Sequence, residues 1–285
     1  MPSTHTPLRY PGGKSSITKM ISEIISANSL KKGHYAEPYA GGCGLALSLL
    51  FKGYVHELHL NDLDKGIWAF WDCVLNDTQN FIEKIYQTSI TIDEWHNQRS
   101  IHTSENVSDI DLGFSTFFLN RTNRSGIILK SGVIGGLKQD GPYKLDCRFN
   151  KDNLAKKIQR IAKYKHRIHF YNLDAINFIE KLDRGIPENS LFCIDPPYYD
   201  KGSTLYTNFY KHEDHVHISE AISKMNSRWI LTYDNSPNIH GLYKSYRKYL
   251  FDLNYSAAQK RVGTELLVVS DNLLLPESLN VKSAA

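Results

Sequence analysis

Short β-rich runs, each closed by a glycine or an acid and followed by a stretch of helical spacing, recur at both ends of the chain. Residues 34–40 read as a strand, followed by Gly41, Gly42, Cys43 and Gly44 and then an apolar helix over 45–51. A second strand over 55–60 ends at Asn61 and Asp62 and leads into a helix over about 65–75. After a long middle segment the spacing predicts a strand over 167–173 ending at Asp174, a helix over 175–182, and a strand over 190–194 ending at Asp195. A helix around 215–225, a strand over 229–233 ending at Asp234, and strands over 249–253 and 266–270 complete the pattern. Alternation of this kind builds a mostly parallel sheet whose two faces are both covered by helices. The expected fold class is therefore α/β.

The middle breaks the rhythm. Residues 76–165 begin as helices and are then punctuated by Gly132, Gly135, Gly136 and the run Asp140, Gly141, Pro142, which predicts a hairpin or a long loop. The expected division is a catalytic domain built from 1–75 and 166–285, with 76–165 inserted between its halves. Charge sharpens that division. The 285 residues carry a net charge of +4, yet 121–167 alone holds 13 Lys or Arg against three Asp, a local net of +10 that leaves −6 elsewhere. Such asymmetry suits a polyanion-binding segment. The spacing of Lys156, Arg160, Lys163 and Arg167, opposite Leu154, Ile158 and Ile161, equally suits a solvated helix face.

Composition excludes several classes. No run approaches the roughly 18 apolar residues of a membrane span, and the first ten residues lack the pattern of a secretory signal, so a cytoplasmic protein is expected. The four cysteines are far apart with no CxxC pair, which argues against a zinc ribbon or a disulfide framework.

Candidate chemistry gathers at the predicted strand ends. In an open α/β sheet, ligands bind beyond the carboxyl ends of the strands. A glycine turn after the first strand, with an acid at the end of the second, describes a site for an adenosine-containing cofactor, Asp62 taking the ribose hydroxyls. The third glycine of a GxGxxG fingerprint would fall at Leu47, and the first glycine of a phosphate loop ending at Gly13, Lys14 and Ser15 would fall at Leu8. Both pyrophosphate sites are disfavoured. S-adenosylmethionine, which has ribose and adenine but no phosphate, fits the pattern.

The most informative motif is Asp195, Pro196, Pro197, Tyr198 and Tyr199, directly after an apolar strand. Two prolines hold the chain extended and remove two amide donors. An acid, a rigid carbonyl and an aromatic face suit an exocyclic amine on a flat base: Asp195 and the Pro196 carbonyl accept its two N–H bonds while Tyr198 stacks on the ring. Two acceptors draw the nitrogen lone pair out of conjugation and stabilise the charge that develops on methylation. No metal is expected. A base inside a duplex must first be rotated out to reach such a site.

These residues resemble the Dam-like DNA adenine-N6 methyltransferases of the D12 class, with α-type motif order. The resemblance runs through Leu8 to Lys14, Glu37 to Gly44, Leu60 to Asp62, Phe117 to Arg121, and Asp195 to Tyr198, in that order along the chain. It implies a Rossmann-like S-adenosylmethionine-dependent methyltransferase sheet with an inserted, mainly helical target-recognition domain. By resemblance, the catalytic set is Asp195, Pro196, Pro197 and Tyr198. The cofactor set is Tyr10, Lys14, Glu37, Gly41, Gly42, Gly44, Asp62, Asp174 and Asp195. Arg121, Asn123, Arg124 and Lys138 are candidates for contacts to double-stranded DNA, since Arg suits guanine and Asn suits adenine; they equally suit a helix-to-loop junction. Tyr10 stands where many members have Trp, and 122–126 differs from the recognition hairpin of the GATC-specific members, so the target sequence does not transfer. A cognate restriction endonuclease is a possible partner.

Other features have plainer readings. His212, His215 and His217 with Glu213 and Asp214 lack metal-site spacing and read as a solvated helix start. Trp68 and Trp71 sit at helical spacing and read as core. Asp174 suits either the cofactor adenine or a helix cap. Methylation of RNA or of a protein amide, and a DNA-binding module without catalysis, are the competing functions.

Overall fold

The computed structural model describes residues 4–9, 14–200, 210–255, 261–279 and 281–284. Tyr10, expected at the cofactor, lies outside them. One eight-stranded sheet organises the chain, made of β1 (Gly33–Glu37), β2 (Val55–Asn61), β3 (Ile168–Tyr171), β4 (Ser190–Ile194), β5 (Arg228–Asp234), β6 (Arg247–Tyr255), β7 (Arg261–Val269) and β8 (Lys282–Ser283). The spatial order is β3-β2-β1-β4-β5-β7-β6-β8. Strands β1 to β5 are parallel, and β7 runs antiparallel between β5 and β6. The chain builds outward from β1 to β3, then returns to lay β4 beside β1. That reversal opens a crevice at the carboxyl ends of β1 and β4, the place where open α/β sheets bind ligands.

The helices follow α1 (Thr18–Ala27), α2 (Gly44–Phe51), α3 (Lys65–Asn76), α4 (Thr78–Gln87), α5 (Ile92–Thr103), α6 (Asp109–Thr122), α7 (Lys151–Ala162), α8 (Ala175–Asp183), α9 (His212–Ser223) and α10 (Pro237–Leu242). Their starts are chemically marked. Asp64 caps α3 through the amides of Gly66 and Ile67, Thr91 caps α5, Ser108 caps α6 and Asn150 caps α7, each satisfying amides that have no partner inside the helix. Helix α2 is apolar on nearly every side because the sheet and neighbouring helices enclose it.

Packing does not follow the expected domain boundary. Phe81 of α4 and Phe117 of α6 pack against Phe70 of α3, Phe114 packs on Phe81 and Phe117, and Phe149 closes against Phe117 and Phe118. These rings belong to the same hydrophobic cluster as Ile21, Leu45 and Leu58. Residues 76–165 therefore do not form an insertion with its own core. Their helices pack as a layer on α3, because α6 is buried almost all round, with α3 and α5 as its main partners. The glycine-rich part of this segment is a long loop. That is the second of the two expected forms; an isolated Asn123–Val133 bridge closes its start, and Gln139 holds the loop through the carbonyls of Ile134 and Gly136 and the amide of Leu145.

The contact between α6 and α3 is close enough to exclude side chains. A Cβ on Gly113 would lie 2.8 Å from the Ala69 carbonyl carbon and oxygen. Gly113→Ala is expected to destabilise the protein by about 1–3 kcal/mol through forced separation of the helices. Chemical denaturation measures it.

Candidate active site

The glycine turn leaves β1 with its backbone tied down. Gly41 has φ +47° and Cys43 has φ +51°, the left-handed region. Gly41 donates its amide to Asp62 Oδ2 at 2.8 Å and accepts the Trp71 indole N–H at 2.9 Å. Trp71 is thus core, as its spacing predicts, and also braces the turn. Gly42 is buried, and Gly44 opens α2. Below the turn, the buried Glu37 accepts the Tyr35 hydroxyl at 3.0 Å. Burial pushes Glu37 up to about 8, against the Tyr35 bond, with Asp195 raising it further and the Ala46 amide opposing.

Asp62 ends β2 beside this turn. Its oxygens each accept one amide, Oδ2 from Gly41 and Oδ1 from Asp64 at 3.0 Å, so each keeps a further acceptor position. Burial and the neighbouring Asp64 raise it to about 7, against those two amide bonds. Asp174 ends the next strand, is exposed, and caps α8 by accepting the Ile176 amide at 2.9 Å. Its Oδ1 serves that cap.

Asp195 leaves β4 where the register pairs Ile194 with Leu231 of β5, so Thr232 lies alongside. Thr232 donates to Asp195 Oδ1 at 2.8 Å, and the Lys14 ammonium approaches the same oxygen at 3.1 Å. Neither partner reaches Oδ2, and the side chain is 22% exposed. Burial raises Asp195 to about 6, Lys14 and Thr232 pulling it down and Glu265 pushing it up. Pro196 and Pro197 are buried. Tyr198 is 5% exposed, and its hydroxyl accepts from Lys14 at 2.9 Å and donates to Glu265.

Lys14 itself is buried just before α1. Its ammonium meets Asp195, Tyr198 and Glu265, the last at 2.8 Å. Burial alone would depress it, but the two carboxylates outweigh burial and raise its pKa. Glu265 arrives from β7, whose antiparallel register sets it opposite Asp234 at the carboxyl edge of the sheet. Sequence reading misses Glu265, Thr232 and Tyr39, whose hydroxyl meets Tyr210 at 2.8 Å. Only an acid at the head of an apolar strand hints at the first.

The four nucleic-acid candidates separate. Arg124 and Lys138 are exposed. Asn123 is fully buried, accepting the Trp95 indole N–H at 2.7 Å and donating to the carbonyls of Ile127 and Ile128. Its amide is spent on holding the loop after α6, so it is corrected to a structural residue. Arg121 donates to the Arg148 carbonyl at 2.7 Å, and burial with Arg9 and Arg148 nearby lowers it to about 10. Among the described residues, no carboxylate pairs with Arg9, Arg121 or Arg148 in a salt bridge. Of the histidines, His215 is buried, not solvated, bonded to the Tyr233 hydroxyl at 2.8 Å, while His212 meets Tyr199.

Parallel strands in the order 3-2-1-4-5, a glycine turn and an acid at the ends of β1 and β2, and an acid followed by two prolines after β4 define a Rossmann-like methyltransferase. More narrowly, the chain belongs to the D12 class N6 adenine-specific DNA methyltransferase family, whose model matches residues 10–259. It is 25% identical over 261 residues to the Type II methyltransferase M.MjaIII of Methanocaldococcus jannaschii, covering 84% of this chain and 86% of that protein. Two solved structures are similar to this chain at low identity. One is an S-adenosylmethionine-dependent methyltransferase from Agrobacterium tumefaciens, at 11% identity, TM-score 0.43 and 89% of this chain. The other, from Listeria monocytogenes, is described as a class I S-adenosylmethionine-dependent methyltransferase, at 9% identity, TM-score 0.36 and 93% of this chain. The chain spans 60% and 62% of their lengths. Among the described residues no helix is long and apolar enough to cross a membrane.

S-adenosylmethionine is the cofactor of this enzyme, and the donor set fits it. Asp62 offers a free acceptor position on each oxygen for vicinal hydroxyls, and no phosphate-binding glycine pattern stands beside it. We expect Asp62→Ala to weaken cofactor binding about 100-fold, the worth of two hydrogen bonds to a charged acceptor, as read by calorimetry.

Proposed function

We propose that the enzyme methylates N6 of one adenine within a specific sequence of duplex DNA, after that base is rotated out of the helix. The observation that carries this reading is the Asp195 carboxylate. Its fixed bonds both fall on Oδ1, which leaves Oδ2 as an acceptor at the carboxyl end of β4. The Pro196 carbonyl supplies the second acceptor in this reading. The bound cofactor supplies an electrophilic methyl group.

Asp195 aligns the amine and stabilises positive charge as it develops on nitrogen, which is electrostatic placement. Lys14 and Thr232 orient the carboxylate. Glu37, Gly41, Gly42, Gly44, Asp62 and Asp174 surround the cofactor. Arg9, Arg121 and Arg148, with the exposed Arg124 and Lys138, form the surface that meets the phosphates; Arg9 and Arg121 lose basicity to burial and to cationic neighbours, so an arriving polyanion relieves their mutual repulsion. A Type II restriction-modification setting with a cognate endonuclease follows the M.MjaIII relative.

Purified enzyme with labelled cofactor and unmethylated duplex DNA is expected to yield N6-methyladenine on nucleoside digestion, and its absence across varied sequences overturns the proposal. Asp195→Ala is expected to lose about 100-fold or more in kcat, in line with removal of a single preorganised electrostatic partner. Asp195 works ionised, so kcat is expected to be full above about pH 7 and to fall as pH drops through about 6.

A further inference from the structure

Lys14 stands where it ought to blunt the acceptor that methylation needs. A full ion pair between its ammonium and Asp195 would draw electron density from the carboxylate and neutralise it toward the amine. The geometry shows a divided cation instead. Lys14 lies 2.8 Å from Glu265 Oε2 and 3.1 Å from Asp195 Oδ1, and its third contact is the Tyr198 hydroxyl at 2.9 Å. Glu265 is the more buried of the two acids, its side chain 1% exposed against 22% for Asp195. Its other oxygen accepts the Tyr198 hydroxyl, so one carboxylate fixes both the cation and the phenol. Because β7 runs antiparallel between β5 and β6, this acid is carried to the carboxyl edge from 67 residues beyond Tyr198.

Resting on the methyltransferase reading above, we infer that Glu265 is a positioning residue that shares the Lys14 ammonium with Asp195, so that Asp195 stays both ionised and available to the target amine. Lys14 alone would over-neutralise Asp195. Burial without Lys14 would protonate it. Sharing the cation between two acids gives the intermediate state, and Tyr198 completes the ammonium's three donors. Among the described residues, the groups that face Asp195 are Lys14 from the turn before α1, Glu37 from β1, Cys193 from β4, Thr232 and Tyr233 from β5, and Glu265 from β7. Glu265 raises the Asp195 pKa and Lys14 lowers it, so neutralising each has an opposite effect.

The test is the pH profile of kcat at saturating cofactor and DNA, for wild type, Glu265→Gln and Glu265→Asp. Glu265→Gln is expected to move the acid limb to lower pH and to reduce the plateau kcat about tenfold, the scale of one charge-assisted hydrogen bond, with KM for the cofactor unchanged. Glu265→Asp restores the limb to its wild-type position. Should Glu265→Gln fail to fold by circular dichroism, Lys14→Met/Glu265→Gln replaces the pair by neutral groups and is expected to move the limb to higher pH. An acid limb that stays in place in the folded variant, or moves the other way, overturns the inference. Absence of methyl transfer by the wild-type enzyme overturns instead the function on which it rests.

Discussion

One buried ammonium ties the catalytic end of this molecule together. Taking a lysine out of water costs several kcal/mol unless its charge and its three protons are met, and Lys14 is met by three groups from two separate stretches of chain. Asp195 comes from the end of β4, Tyr198 from the turn that follows, and Glu265 from β7. The cluster therefore requires β4 and β7 to be brought to one edge of the sheet. It fixes the segment before α1 against the strand ends and sets the charge of the one carboxylate that faces outward.

Around that cluster the fold supplies fixed polar groups where the chemistry needs them. The reversal of strand order between β1 and β4 opens the crevice, the glycine turn is held by Asp62 and Trp71, and Asp195 is held by Thr232. Three acids at this edge, Glu37, Asp62 and Asp195, are raised chiefly by burial, to about 8, 7 and 6. Raised carboxyl groups favour the folded state at low pH and cost stability as pH rises through them. That cost is accepted at a site whose acceptors must lie out of bulk water to act strongly.

Much of this was legible in the sequence because it is local. Strand ends announce themselves by an acid or a glycine after an apolar run, which places Gly41, Asp62, Asp174 and Asp195 on one edge from the sequence alone. What the pattern could not give was long-range. Residues 76–165 look like an insertion because their helices break the β-α rhythm, yet the phenylalanines of α4 and α6 find their partner in Phe70 of α3. Asn123 carries the side chain of a base reader but spends it on Trp95 and two carbonyls. Glu265 looks like one acid at the head of an apolar strand, and only antiparallel pairing brings it to Lys14.

In the proposed reaction Asp195 meets the target amine through its open oxygen. A crystal structure of the enzyme with a duplex containing its target sequence and a non-reactive cofactor analogue measures this directly. The account predicts an adenine rotated out of the helix, its amine within hydrogen-bond distance of Asp195 Oδ2 and of the Pro196 carbonyl. An adenine still stacked in the duplex, or an amine held by other residues, would contradict it.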